Sequence, residues 1–163
     1  MPQAIEAHLG SRQVARVIYG SIIGLALVVS LQAHPPSSGV VVASLWATAL
    51  AVGLAELYSE IVGTETRTRH RIAHSEVVHI LDEVGAVAFG IAFPSVFFLL
   101  AALGVLDLDS AFNVAKWSGL GLIGAYGFGA ARLAGASVVA SLVQAFAVGA
   151  IGGVLIAVKA LLH

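Results

Sequence analysis

Five long apolar stretches constrain the fold of this chain more than any other feature of its sequence. They cover residues 14–33, 39–63, 84–106, 110–131 and 135–162. A membrane-spanning helix needs about 20 mainly apolar residues, because the hydrocarbon core of a bilayer is about 30 Å thick. Only 10% of the residues are charged and 59% are hydrophobic, which is unlike a soluble globular domain. We therefore predict an all-α, polytopic membrane protein with five transmembrane helices.

The connections between these stretches are short, so we expect residues 1–163 to form a single transmembrane domain. The longest connection is a polar segment, residues 64–83. The chain does not open with a basic stub, a short apolar core and a small-residue cleavage site, so we expect no removable signal peptide.

The distribution of basic residues predicts the orientation, since lysine and arginine in short loops are retained on the cytoplasmic side. Of the eight basic residues, six fall on the same side: Arg12, Arg16, Arg67, Arg69, Arg71 and Arg132. This pattern places the N-terminus and the segment 64–83 in the cytoplasm and the C-terminus outside the cell or in a lumen. We expect an integral, multi-pass protein of the cell's inner (plasma) membrane.

Several functional classes are disfavoured by composition. The absence of cysteine excludes disulfides, thiolate metal sites and cysteine nucleophiles. A net charge of −1 argues against nucleic acid as a partner. Because no nucleophile stands beside a base and no cofactor motif is visible, we predict neither an enzyme nor a firmly bound cofactor, and we assign no catalytic residue.

Two glutamates, Glu56 and Glu60, lie near the end of the second apolar stretch. An acidic side chain deep in a bilayer costs roughly 2.5–3.5 kcal/mol, so such residues usually mark an ion path, a proton relay or a buried pair. At helical spacing the two side chains point within about 40° of one another. The alternative is that both extend toward the cytoplasmic interface.

The polar segment holds a second group of candidate ligands. Glu76, His79 and Glu83 share a helix face if the third helix begins near Ser75. Carboxylate and imidazole suit Fe²⁺, Mn²⁺ or Zn²⁺, and the Glu-x-x-His spacing of Glu76 and His79 occurs in di-iron helix bundles. The alternative is a solvated helix extension whose acidic residues neutralise the nearby arginines.

Two further features concern helix shape and packing. Pro94 is expected to kink the third helix and to free a backbone carbonyl near Gly90. Gly127, Ala131 and Gly135 form a row of small residues four positions apart, which is typical of close helix contacts in membranes.

The layout of the chain resembles the vacuolar iron transporter family. The resemblance rests on the five stretches, the acidic end of the second one, the phrase Phe93-Pro94-Ser95-Val96-Phe97-Phe98, and the run 131–137 leading into 149–153. It implies a homodimer that exchanges divalent metal for protons, using carboxylates of the first two helices and a glutamate-rich cytoplasmic domain. Glu56 or Glu60 stands in the region of the second-helix acid, and Glu65, Glu76 and Glu83 stand where the cytoplasmic domain would be attached.

The chain departs from that family at three points. The first stretch, residues 14–33, contains no acidic residue, and the family's metal-coordinating methionines are missing. The cytoplasmic metal-collecting domain is reduced to a short segment.

Together these observations predict a homodimeric, proton-coupled transporter of divalent cations that contacts membrane lipid. The candidate metal ligands are Glu56, Glu60, Glu65, Glu76, His79 and Glu83. The alternative is a non-transporting membrane scaffold or assembly partner. A polar, water-accessible cavity reaching Glu56 favours transport, whereas a dry, tightly packed surrounding favours the scaffold.

The charge distribution yields a first test. A reporter fused after His163 is expected to be non-cytoplasmic, and one inserted near Arg69 is expected to be cytoplasmic, because basic loops stay inside. Enzymatic reporters that are active on only one side of the membrane measure both positions. A cytoplasmic C-terminus would overturn the count of five spans.

Overall fold

The computed structural model describes residues 2–161, and within them the side chains of residues 13–150, 152–154 and 157–158. Position 162, the end of the predicted fifth stretch, lies outside the described residues. The all-α class is confirmed, since residues 2–161 contain helices and turns and no strand. The six helices are α1 (Pro2–Leu31), α2 (Ser38–Thr68), α3 (His74–Ala92), α4 (Ser95–Ala102), α5 (Leu108–Leu133) and α6 (Val138–Leu161).

Two or three of these helices are long and apolar enough to cross a membrane. The first is the part of α1 from Gln13 to Leu31, and the second is α2. The third is α3 and α4 taken together as one bent span. A shorter apolar portion of α6 runs from Val138 to Val154. This supports an integral membrane protein, and the count of five spans stays a prediction.

The kink expected at Pro94 is confirmed. The chain bends by 47° between α3 and α4, and the break lies at Phe93 and Pro94. Proline has no backbone N–H, so the carbonyl of Gly90 lacks its usual helical donor four residues later. The third predicted stretch therefore consists of two helices.

Direct backbone contact between α1 and α3 organises the bundle. A Cβ added to Gly20 would lie 2.1 Å from the carbonyl oxygen of Val87, and one added to Gly24 would lie 2.8 Å from that of Ile91. A Cβ on Gly90 would lie 2.5 Å from the carbonyl oxygen of Val17. Any side chain at these glycines would separate the helices. The pairing of 20 with 87 and of 24 with 91 also shows that α1 and α3 run parallel.

The second helix runs in the opposite direction to α1 and α3. Near its start, Leu45 packs in one cluster with Phe98 of α4, and farther along, Gly53 faces Val84 of α3. The end of α2 therefore lies beside the starts of α3 and of the apolar part of α1. This arrangement creates the candidate site described below.

An apolar core lies at the end of the bundle opposite to the candidate site. Phe98 of α4 and Phe112 of α5 are fully buried, and their rings meet edge to face with centroids 4.8 Å apart. Val28 and Val41 complete the contact with α1 and α2. This core lies about 18 Å along α1 from Arg16, so the polar site and the main apolar core occupy opposite ends.

Only part of the row formed by Gly127, Ala131 and Gly135 packs inside the bundle. Gly127 faces Ala145 and Val148 of α6, with 3.5 Å between a Cβ added there and the nearest atoms of each, and Ala131 is buried. Gly135 does not continue the row. It follows the end of α5 in a left-handed turn with φ of 83°, because a residue without Cβ suits the position just after a helix.

Asp107 caps the start of α5, where the sequence offers several polar residues. Its carboxylate accepts hydrogen bonds from the Ser110 hydroxyl at 2.7 Å and the Ser110 amide at 2.8 Å. These bonds lower the pKa of Asp107 below its ordinary value, the hydroxyl contributing most. The stabilisation is therefore present at neutral pH and is lost as pH falls through the lowered pKa.

The glycine crossing yields a stability test. Gly20→Ala is expected to lower stability by about 1–3 kcal/mol or more, since the added methyl group must displace the backbone of α3. Gly121→Ala in α5 is the matched control, because open space surrounds that glycine, and it should be neutral or stabilising by up to about 1 kcal/mol. Thermal unfolding in mild detergent measures both. Equal midpoints for the two variants would contradict the crossing.

Candidate functional site

Three helices bring charged side chains together at one end of the bundle. Arg16 lies near the start of the apolar part of α1, Glu56 and Glu60 lie in the second half of α2, and Glu83 lies at the middle of α3. Because α2 is antiparallel to the other two helices, these residues lie at the same height along the axis of the bundle. We call the four side chains the arginine–glutamate cluster.

The guanidinium of Arg16 contacts all three carboxylates. Its Nη1 donates to Glu56 Oε2. Its Nη2 donates to Glu60 Oε1 at 2.7 Å and to Glu83 Oε2 at 3.2 Å. A planar guanidinium offers five N–H donors in a fixed fork, which allows one arginine to hold carboxylates from two different helices.

The cluster is largely withdrawn from solvent. The exposed fraction of the side chain is 24% for Arg16, 21% for Glu56, 35% for Glu60 and 8% for Glu83. Fully exposed ion pairs contribute about 0–1 kcal/mol. Removing one partner of a buried pair costs more, because the remaining charge stays desolvated and unpaired. Glu83 is the most deeply placed member.

A polar cleft of about 480 Å³ adjoins the cluster. Its volume is enough for on the order of ten water molecules, taking about 30 Å³ for each. The cleft is lined by Ala15, Arg16, Tyr19, Glu56, Glu60, Arg67 and Glu83. The carboxylates therefore lie on the wall of a polar cleft rather than in a dry, tightly packed interior.

The structure divides the six candidate ligands predicted from sequence. Glu56 and Glu60 do point the same way and meet the same guanidinium. Glu83 joins them rather than Glu76 and His79. Glu76 instead accepts a hydrogen bond from the amide of Ala73 at 3.2 Å, which caps the first turn of α3.

The two remaining candidates also lie outside the cluster. His79 is exposed on α3. Glu65 accepts a hydrogen bond from the amide of Ile72 at 3.3 Å and so ties the end of α2 to the following turn. Among the side chains that the structure describes, no group of three or more histidine, aspartate or glutamate residues is arranged to hold a metal ion.

Arg16 is the member of the cluster that the sequence does not predict. The sequence indicates only that it is one of the basic residues that set the orientation. Its partners Glu56 and Glu83 are 40 and 67 positions away, so no local spacing connects them. The sequence does contain one signal. Arg16 is a lone arginine inside the first apolar stretch, and Glu56 and Glu60 lie near the end of the second stretch. The predicted topology puts all three on the same side of the membrane.

Comparison with protein-family models, with curated proteins and with solved structures finds no match to this chain. Function is therefore inferred from the arginine–glutamate cluster and its cleft.

Proposed function

We propose that this chain is a membrane carrier that exchanges a divalent cation for protons at the arginine–glutamate cluster. The observation that carries the proposal is the convergence of Glu56, Glu60 and Glu83 on the wall of a polar cleft. Such a cleft is what a transport path requires, and a sealed apolar interior would not provide it. The exchange of metal for protons is also what the resemblance to vacuolar iron transporters implies.

The chemistry of the carboxylates fits this exchange. Glu56 and Glu60 share one guanidinium, so two formal negative charges meet one positive charge there. Two carboxylates this close repel each other electrostatically, and a bound cation offsets that repulsion. We propose that protons take the place of the metal ion when it leaves. Carboxylate oxygens suit Mn²⁺ and also bind Zn²⁺, and we propose Fe²⁺, Mn²⁺ or Zn²⁺ as cargo.

The membrane arrangement belongs to the same proposal. We propose five spans, a cytoplasmic N-terminus, an external C-terminus and a homodimer in the plasma membrane. The alternating directions of α1, α2 and α3 fit successive crossings. The segment carrying Arg67, Arg69 and Arg71 lies at the same end as the cluster, and for this reason we propose that this end is the cytoplasmic one.

Glu65, Glu76 and His79 complete the proposal as an entry region. They lie at the same end of the bundle, outside the cluster, where Glu76 and His79 are exposed. Acidic groups at this end of the bundle would raise the local concentration of cations without forming the transport site.

A scaffold without transport is the second candidate function. The observation that favours it is that Arg16 already pairs with all three carboxylates. Ion pairs of this kind tie three helices together whether or not any ion moves. The two functions differ in whether the chain carries a flux.

Flux measurements in proteoliposomes test the proposal. The wild-type chain is expected to move at least one of Mn²⁺, Fe²⁺ and Zn²⁺ against a counterflow of protons, followed with a metal-sensitive and a pH-sensitive dye. The Glu56→Gln/Glu60→Gln variant should insert normally but lose flux by about tenfold or more, since the amides keep the shape of the side chains and remove their charge.

Asp82→Asn is the matched control for that experiment. Asp82 is the exposed neighbour of Glu83 on α3 and does not line the cleft. The loss of one carboxylate outside the cleft should leave the flux near the wild-type level. If the wild-type chain moves none of the three ions, or if the double variant transports as well as wild type, the metal transport proposal fails and the scaffold takes its place.

A further inference from the structure

We infer that Arg16 is a tethered cation that occupies the cargo position, so that a divalent ion and Arg16 compete for Glu56 and Glu60. This inference rests on the proposed function and adds a gating and specificity-determining residue to it. It gives Arg16 a role beyond holding helices together, because cargo binding then requires its side chain to withdraw from α2.

The first argument is steric and electrostatic. Nη1 and Nη2 of Arg16 sit against Oε2 of Glu56 and Oε1 of Glu60, respectively. A divalent metal binds carboxylate oxygens at about 2.0–2.2 Å, which places it where the guanidinium N–H groups now lie. The like charges of the metal and Arg16 also repel strongly at such short range in a partly desolvated site. A metal ion that binds these two oxygens therefore competes with Arg16 for them.

The second argument concerns what can move. The backbones of α1 and α3 are in direct contact at Gly20, Gly24 and Gly90, so Arg16 and Glu83 belong to one packed pair of helices. The contact between α1 and α2 is sparse by comparison, and Arg16 joins the two helices through Glu56 and Glu60. The arginine can therefore release Glu56 and Glu60 while staying beside Glu83, the most buried of the three carboxylates.

These two steps assign different roles to the three carboxylates. Glu56 and Glu60 form the exchangeable side of the cluster, and Glu83 is the anchor to which Arg16 returns. In the resting protein Arg16 offsets part of the negative charge of the cargo site without any bound metal. The affinity for cargo is consequently lower than the bare carboxylates would give, which favours release.

Mn²⁺ titration of the full-length chain in detergent tests this inference. Isothermal calorimetry is run on wild type, on Arg16→Gln and on Arg67→Gln. Removing the competing cation is expected to tighten Mn²⁺ binding by about tenfold or more, which corresponds to roughly 1.4 kcal/mol. Wild-type affinity in the Arg16→Gln variant would overturn the inference.

Arg67→Gln is the matched control, because it removes the same charge from the same cleft. Arg67 lines the cleft, and its described hydrogen bond goes to Thr64 Oγ1 rather than to the cluster. Its loss should tighten Mn²⁺ binding less than the loss of Arg16 does. If Mn²⁺ affinity rises equally in the two variants, the net charge of the cleft controls binding rather than direct competition by Arg16. That result would also overturn the inference.

Arg16→Lys keeps the test decisive if Arg16→Gln does not fold. Lysine preserves the positive charge but lacks the planar fork that reaches two carboxylates at once, so Mn²⁺ should bind more tightly than in wild type. No gain in this variant counts against competition. If Mn²⁺ binds the variants more tightly but the wild-type chain carries no flux, Arg16 keeps its competing role and transport is rejected. If the wild-type chain carries flux but the variants bind Mn²⁺ no more tightly, transport is retained and the competing role of Arg16 is rejected.

Discussion

The contact between one guanidinium and three carboxylates is the interaction on which the polar end of this protein depends. Arg16 lies within an apolar stretch, where an unpaired charge is unfavourable, and the same holds for Glu56 and Glu60 at the end of α2. Each charge is acceptable because the others are within hydrogen-bonding distance. The pairing therefore fixes the end of α2 against α1 and α3, and it also creates the charged wall of the cleft.

The glycine crossing of α1 and α3 is the structural condition for this cluster. Without side chains at Gly20, Gly24 and Gly90 the two backbones touch, which brings Arg16 of one helix within reach of Glu83 of the other. Bulkier residues there would widen the bundle and lengthen the distance between these charges. Packing in the middle of the helices and electrostatics at their end are thus parts of one arrangement.

Features that depend on local sequence were predictable, and those that depend on helix contacts were not. The all-α class, the kink at Pro94 and the common direction of Glu56 and Glu60 follow from hydropathy, proline chemistry and helical periodicity. The pairing of Arg16 with Glu83 spans 67 positions and needs the relative placement of α1 and α3. The glycine pair at 20 and 24 has the four-residue spacing typical of close helix contacts. The row Gly127, Ala131 and Gly135 has the same spacing, so spacing alone does not identify the pair at which two backbones touch.

A double-mutant cycle between Arg16 and Glu56 tests the central claim most directly. Unfolding free energies are measured for Arg16→Gln, Glu56→Gln and the double variant in the same detergent. We predict a coupling free energy of about 1–3 kcal/mol, as found for residues in direct contact within one ion-pair network. The same cycle between Arg16 and Glu76, which lies about 10 Å along α3 from Glu83, should be additive within about 0.5 kcal/mol. Additive effects of Arg16 and Glu56 would contradict the cluster.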